Sequence, residues 1–288
     1  VLQQGVIFSK YNFRTSRYIL ATSLKGASVM AQPQKSPAAH SLPQSPIIMI
    51  PARMASTRLP NKPLADIQGL PMIVQVLRRA EESKLGRVVV ACAEAEIKAA
   101  VEKAGGEAVL TDPALPSGSD RILAALKTID PQGKHDAIIN VQGDLPTLDA
   151  GLIKTAFDLL QNPETDIGTL GCIITKESEK TNPNVVKAIA EIDFAKGGKQ
   201  GRALYFSRTT APSGDGPLLH HIGLYTYKRA ALEAFVASPP SSLEKRERLE
   251  QLRALSLGMR IDIAVVDTVP LGVDTPEDLE IAREILNK

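Results

Sequence analysis

The sequence predicts an α/β chain built on a doubly wound, mostly parallel nucleotide-binding sheet with a smaller mixed-sheet part, and three observations carry that expectation. Continuous apolar runs, "PIIMIP", "RVVVAC" and "DAIINV", recur at intervals that leave room for a helix between them, as strands covered on both faces do. Segments of helical periodicity fill those intervals. After Thr165 the apolar runs follow one another without helices, which is the pattern of a mixed sheet extension or lid.

Each element follows in turn. "PIIMIP" is a buried strand, and residues 71–84 form a helix whose Ile73, Val76, Leu77 and Ala80 share one face. "RVVVAC" is a second strand, residues 94–104 a second helix stopped by "GG", and "EAVL" a short strand. "PSGSDR" opens a helix, and "DAIINVQGD" is a strong strand. Then come the strands "DIGTLGCII", "NVVKAIAEID", "ALYFSR" and "HHIGLYTYK", a helix over 242–257, a strand over 259–266 and a helix over 276–287. The expected division falls near residue 165, with 47–165 as one part, 166–288 as the other, and 266–288 returning to the first.

Composition sets limits. The chain has 288 residues, 43% hydrophobic and 23% charged, which suits a soluble globular protein. No apolar run approaches the roughly 20 residues of a membrane helix, so no membrane partner is expected. Cys92 and Cys172 lie far apart with no CxxC, which points to neither a disulfide framework nor a zinc knuckle and fits a reducing compartment. Residues 1–46 hold five basic side chains and no acid, leaving 29 basic against 32 acidic side chains in the remainder, a net −3. With only 4% aromatic residues, that body lacks the basic, base-stacking surface nucleic acid requires.

Residues 1–46, with "AQPQKSPAAHSLPQSP", bury little apolar surface and read as a disordered basic leader. Two origins fit it: an organellar transit peptide, or an upstream extension with the start at Met30.

In doubly wound sheets ligands sit beyond the carboxyl ends of the strands. The loop after the first strand, "ARMASTRLPNK", carries Arg53, Arg58 and Lys62 without one acid, and "QGDLP" follows another strand. Two guanidiniums and one ammonium on a proline-stiffened loop match a polyphosphate in charge and donor geometry. A solvated basic loop is the alternative. Neither GxGxxG nor GxxxxGK[ST] is present, so neither a dinucleotide fingerprint nor a Walker loop accounts for the phosphates.

"IPARMASTRLPNKPLADIQGLPMIVQVLRRA", followed in order by "SGSDR", "NVQGDLP", "NPNVVK", "ALYFSR", "HHIGLYTY", "SSLEKRERLEQLRAL" and "VPLGVDTPEDLE", closely resembles the CMP-Kdo synthetase (3-deoxy-manno-octulosonate cytidylyltransferase) family over residues 47–288. The resemblance implies a nucleotide-diphospho-sugar transferase-like fold, with CTP bound in 47–165 and sugar binding and dimerisation in 166–288. It implies Mg²⁺-dependent transfer of CMP from CTP to the anomeric hydroxyl of 3-deoxy-D-manno-octulosonate (Kdo), releasing diphosphate, for lipopolysaccharide biosynthesis. A homodimer in the cytoplasm is implied too, or an organelle if the leader is a transit peptide.

By the same resemblance Arg53, Arg58 and Lys62 hold the triphosphate, and Asp144 and Asp274 ligate magnesium. Asp274 also reads as a helix cap in "DTPED", where Thr275 and Asp278 have capping-box spacing. Ser117, Gly118 and Arg121 of "SGSDR" lie by the cytidine and its phosphates; alone they would read as an ordinary helix start. Gln142, Arg208, His221, Tyr225, Glu250 and Gln251 contact the sugar acid. Without the resemblance, Tyr225 would be a half-buried strand residue and Glu250 a solvated helix face.

The chain departs from the family's commoner forms at His220, Lys245 and Leu145, in "SGSDR", and in "ACAEAEI", which lacks a common acid. The general base stays open between His221, a carboxylate and a metal-bound water. The rival readings are CMP transfer to another acidic sugar, such as sialic acid or an 8-amino analogue of Kdo, and a catalytically silent nucleotide-sugar-binding protein.

Overall fold

The computed structural model describes residues 42–287 except Thr57. The leader expectation therefore lies outside the described residues up to residue 41. Residues 42–46 belong to the body: the N–H groups of Gln44 and Ser45 each donate to the Asp136 carboxylate at 2.9 Å, leading the chain into its first strand.

In chain order come β1 (Pro46–Ala52), the small hairpin β2 (Asp66–Ile67) and β3 (Leu70–Pro71), and α1 (Met72–Glu82). Next are β4 (Arg87–Cys92), α2 (Ala95–Lys103), β5 (Glu107–Leu110), α3 (Gly118–Ile129), β6 (Ala137–Asn140) and α4 (Ala150–Asp158). The second half holds β7 (Ile167–Ile173), α5 (Glu177–Thr181), β8 (Lys187–Glu191), β9 (Gln200–Ser207), β10 (Leu219–Lys228) and α6 (Arg229–Ala237). It ends with α7 (Ser242–Glu247), α8 (Gln251–Ser256), β11 (Ile261–Val266) and α9 (Pro276–Leu286).

Nine strands form one sheet in the order β5-β4-β1-β6-β10-β7-β11-β9-β8. The first four run parallel, as the apolar runs predict. Alternate residues of β1 serve opposite faces, Ile48 and Ile50 packing with α1 and Ile47 and Met49 with α3. The expected face of α1, Ile73, Val76, Leu77 and Ala80, is fully buried.

The second half, expected as a mixed sheet extension or lid, is an extension of the same sheet. β10 lies antiparallel between β6 and β7, pairing Tyr225 with Asn140 on one side and Thr169 on the other. The change of pattern after Thr165 is thus a change of strand direction inside one sheet, and the hydrogen bonds of β10 carry the sheet across it. A register shift between Ile222 and Tyr225 interrupts this ladder. The chain's end packs back on its first third, where Val273, Leu279 and Ala282 bury against Ile67 and Met72.

The helix expected over 242–257 is two short ones. Arg248 takes a left-handed backbone, φ 56° and ψ 48°, and ends α7. Long-range contacts impose the break. The Arg208 guanidinium donates to the carbonyls of Glu247 (2.8 Å) and Arg248 (3.3 Å), and a buried ion pair joins the two helices, with Arg253 Nε on Glu244 Oε2 at 2.8 Å and Nη2 on Oε1 at 2.5 Å. Arg253 also stacks over Phe235, 4.5 Å from its ring centre.

Removing one partner of a buried pair strands the other charge in a low-dielectric interior. Glu244→Ala is expected to cost about 3–5 kcal/mol of stability in urea denaturation, and the double variant Glu244→Ala/Arg253→Met to recover much of that loss.

Candidate active site

β1 and β6 are parallel neighbours whose carboxyl ends open onto one cavity of about 500 Å³. The basic loop leaves β1 there, and Gln142, Gly143 and Asp144 follow β6. Gly143 lets these loops meet: a Cβ on it would lie 2.6 Å from the Pro51 carbonyl oxygen. Asp274 arrives from far along the chain because the Val273 N–H donates to the Asp144 carbonyl at 2.9 Å.

Four charged side chains converge at that join. Lys62 Nζ lies 3.0 Å from Asp144 Oδ2 and 2.9 Å from Asp274 Oδ1, and Arg58 Nη2 lies 2.9 Å from Asp274 Oδ2. Burial alone would lower the Lys62 pKa, but the two carboxylates outweigh it and raise the value. Desolvation would likewise raise Asp274, yet the Lys62 hydrogen bond and the charges of Lys62 and Arg58 hold it below the usual carboxylate range. The capping alternative for Asp274 resolves onto its neighbours: Thr275 Oγ1 accepts from Asp278 N–H, and Asp278 Oδ2 accepts from the N–H groups of Asp274 and Thr275. The Asp274 carboxylate itself takes no part in the cap and lines the cavity.

Arg53 lines the same cavity with no ion-pair partner among the described residues. Ser117 caps α3, its Oγ accepting from Asp120 N–H at 3.2 Å, and with Gly118 it turns the positive end of that helix toward the cavity. Arg121 is only 2% exposed. Its Nη1 donates to Thr111 Oγ1 and the Asp112 carbonyl. Its Nη2 is buried with no protein partner. Desolvation, helped by the charge of Arg53, lowers its pKa. A buried guanidinium edge without an acceptor, beside a cavity, calls for a ligand oxygen.

Sequence reasoning missed Glu94. Its carboxylate accepts the Met54 N–H at 3.0 Å and so ties the basic loop to the start of α2. The motif "ACAEAEI" had read as short of an acid, while Glu94 within it does this work.

A second cavity of about 270 Å³ adjoins the first, the two sharing Gly118 and Gln142 in their walls. Tyr225, Glu250 and Gln251 line it, so Glu250 is no solvated helix face. The break at Arg248 brings Glu250 into contact with Ser119, whose Oγ donates to it at 3.3 Å, and desolvation raises its pKa.

Two expected sugar contacts line neither cavity. Arg208 spends its guanidinium on the carbonyls of Pro183, Glu247 and Arg248. His221 is 9% exposed and packs 4.8 Å from the Phe206 ring and 5.5 Å from Tyr225, with Nε2 3.1 Å from Thr169 Oγ1. Desolvation pushes its pKa down to about 3, and the charge of His220 adds to this. His221 is a neutral ring packed against Tyr225 and lines neither cavity.

Residues 47–261 match the cytidylyltransferase family model. A 3-deoxy-manno-octulosonate cytidylyltransferase of Parvibaculum lavamentivorans is 66% identical over 250 residues, 87% of this chain and 96% of the relative. The chain belongs to the 3-deoxy-manno-octulosonate cytidylyltransferase family. A family member from Rhodospirillum rubrum is 63% identical over 84% of this chain and 96% of its own length. Among solved structures, a CMP:2-keto-3-deoxy-manno-octonic acid synthetase complexed with CTP superposes with TM-score 0.78 at 34% identity, covering 85% of this chain and 99% of that one. A 4-diphosphocytidyl-2C-methyl-D-erythritol synthase from Anaerococcus prevotii, at 14% identity and TM-score 0.56 over 85% of this chain and 99% of that one, shares the α/β nucleotidyltransferase fold.

The state of His221 has a measurable consequence. Unfolded, its imidazole takes up a proton below pH ~6.5, whereas the folded ring refuses it down to about 3. The unfolded state therefore gains protons first, and this contribution to stability is lost as pH falls from ~6.5 toward the folded value. The melting temperature of His221→Gln is expected to fall less steeply than that of the wild type between pH ~7 and ~4.5.

Proposed function

We propose that this chain transfers the cytidylyl group of CTP to Kdo, yielding CMP-Kdo and diphosphate. The observation that carries the reading is the pair of adjoining cavities, one charged for a triphosphate and one lined for a polyol, meeting at Gly118 and Gln142. The names of the most similar relatives support the same reaction.

Four cations (Arg53, Arg58, Lys62, Arg121) and two carboxylates (Asp144, Asp274) line the larger cavity, a net +2. A CTP of charge about −4 carrying one divalent cation brings this close to neutral, whereas the free ion would raise it to about +4. Nucleotide and metal are therefore suited to enter together.

Among the described residues no three His, Cys, Asp or Glu side chains form a closed metal cage. The two carboxylates that meet at Lys62 fit Mg²⁺, which takes one or two protein carboxylates and completes its shell with phosphate oxygens and waters. Bound there, Mg²⁺ would neutralise charge on the phosphates. Asp144 and Asp274 would hold it, and Lys62 would exchange its carboxylates for phosphate oxygen.

In the transfer, the anomeric hydroxyl of the sugar releases its proton to solvent as its oxygen bonds to the α-phosphorus, and the bond from that phosphorus to the bridging oxygen of the leaving diphosphate breaks. Arg53, Arg58 and Lys62 stabilise the charge that gathers on that leaving group. Arg121 Nη2 offers a donor to the nucleotide, and Gln142 stands where the substrates meet. Tyr225, Glu250 and Gln251 orient the sugar hydroxyls. The reading extends to a cytoplasmic homodimer that supplies CMP-Kdo to lipopolysaccharide synthesis.

Diphosphate release from CTP and Mg²⁺ is expected with Kdo and not with sialic acid; release with sialic acid alone would overturn the choice of sugar, and none with any acidic sugar would overturn the reaction. Asp144→Asn and Asp274→Asn are each expected to lower kcat at least about a hundredfold; near-normal rates in both would refute the metal assignment. Lys62→Met should lower kcat far more than it raises the KM for CTP, as loss of a contact that strengthens in the transition state does.

A further inference from the structure

Glu94 stands at the head of α2 with an extended backbone, φ −121° and ψ 148°, the position whose side chain usually accepts from the first N–H groups of its own helix. It makes no such bond. The half-buried side chain turns back instead, and its Oε2 accepts the Met54 N–H at 3.0 Å. Just before it, the Ala93 N–H donates to the Ala52 carbonyl at 3.1 Å. Two bonds from the residues that follow β4 thus bracket Arg53, fixing the backbone on either side of it where the basic loop leaves β1.

The charge of Glu94 works against a nucleotide. Glu94 does not line the larger cavity, but burial lowers the pKa of the Arg121 guanidinium and the charge of Glu94 opposes that lowering. A triphosphate held by Arg121 meets the same carboxylate as a like charge. What Glu94 contributes to such a site is therefore its hydrogen bond. Arg53, Arg58 and Lys62 all ride on the loop that this bond secures, and a loop held in one conformation before binding loses less entropy when the ligand arrives.

We propose that Glu94 is a positioning residue for the nucleotide, its hydrogen bond to Met54 holding Arg53 and the basic loop in the geometry that receives the triphosphate. The proposal rests on the reading of the larger cavity as the CTP site. It makes reach, rather than charge, the property of Glu94 that matters, because the Met54 N–H needs an acceptor at one place and the phosphates need no further anion.

The test compares wild type with Glu94→Gln, Glu94→Asp and Glu94→Ala in calorimetry of CTP with Mg²⁺, without sugar, and in diphosphate release with Kdo, with circular dichroism to confirm folding. Glu94→Gln keeps an acceptor oxygen at the same reach and loses the charge, whereas Glu94→Asp keeps the charge and falls one methylene short. Glu94→Asp and Glu94→Ala should each weaken CTP binding about 10-fold, the scale of a lost hydrogen bond to a charged group. The KM for CTP should rise to match while the KM for Kdo stays unchanged. Glu94→Gln should bind CTP as tightly as the wild type or more so. Wild-type affinity in either Glu94→Asp or Glu94→Ala, or Glu94→Gln weakened as much as Glu94→Ala, would overturn the proposal. Tighter CTP binding in Glu94→Ala, the mark of a mere background charge, would overturn it too. Failure of the wild type itself to bind CTP would instead overturn the reading of the larger cavity.

Discussion

The insertion of β10, antiparallel, between β6 and β7 is the constraint on which the rest of the architecture depends. Without it, the four parallel strands would end at β6 and the later strands would form a sheet of their own. With it, Tyr225 stands opposite Asn140, one turn of chain from the Gln142–Asp144 loop, and a wall of the second cavity is built against the first. The irregularity just before Tyr225 falls where the sheet meets the site, a usual place for one because it re-aims a side chain at little cost to the ladder. His221 and Thr169 fill the space behind that ring, so the tyrosine is fixed by packing.

Charge is arranged by the same long-range logic. Lys62, Asp144 and Asp274 come from three distant parts of the chain, and one backbone hydrogen bond, Val273 N–H to Asp144 carbonyl, brings the last two together. In the free protein the carboxylates share the Lys62 ammonium, which offsets their mutual repulsion and holds the cluster in place. The surplus of arginine around them leaves the lining of this cavity net positive. The Thr275–Asp278 capping box ends the approach of this segment while leaving Asp274 out of the cap, so helix start and charged site coexist within two residues.

The interruption between α7 and α8 shows stability and function meeting at one turn. Glu244 and Arg253 form a buried pair that locks the two helices at an angle, and Arg208 satisfies carbonyls that an unbroken helix would have used. The strain at Arg248 is offset by this network. Its result is that consecutive residues, Arg248 to Gln251, line one cavity.

By itself the sequence determined the local elements and the chemistry of the nucleotide side. Apolar runs gave the parallel strands, 3.6-residue periodicity gave the buried face of α1, and an acid-free basic loop after a strand marked three cations that line one cavity, because burial and charge density are properties of neighbouring residues. Tertiary structure alone decided the second cavity. The helical pattern over 242–257 is unbroken in sequence, and the break at Arg248 is held by Arg208, from a distant part of the chain, together with the Arg253–Glu244 pair across the turn. The roles of His221 and Arg208 depend on which atoms surround them, so a residue legible as a ligand is in one case a buried neutral ring and in the other a clamp on backbone carbonyls. That the later strands extend the first sheet likewise follows from strand pairing, which hydrogen bonds between remote segments settle and local periodicity leaves open.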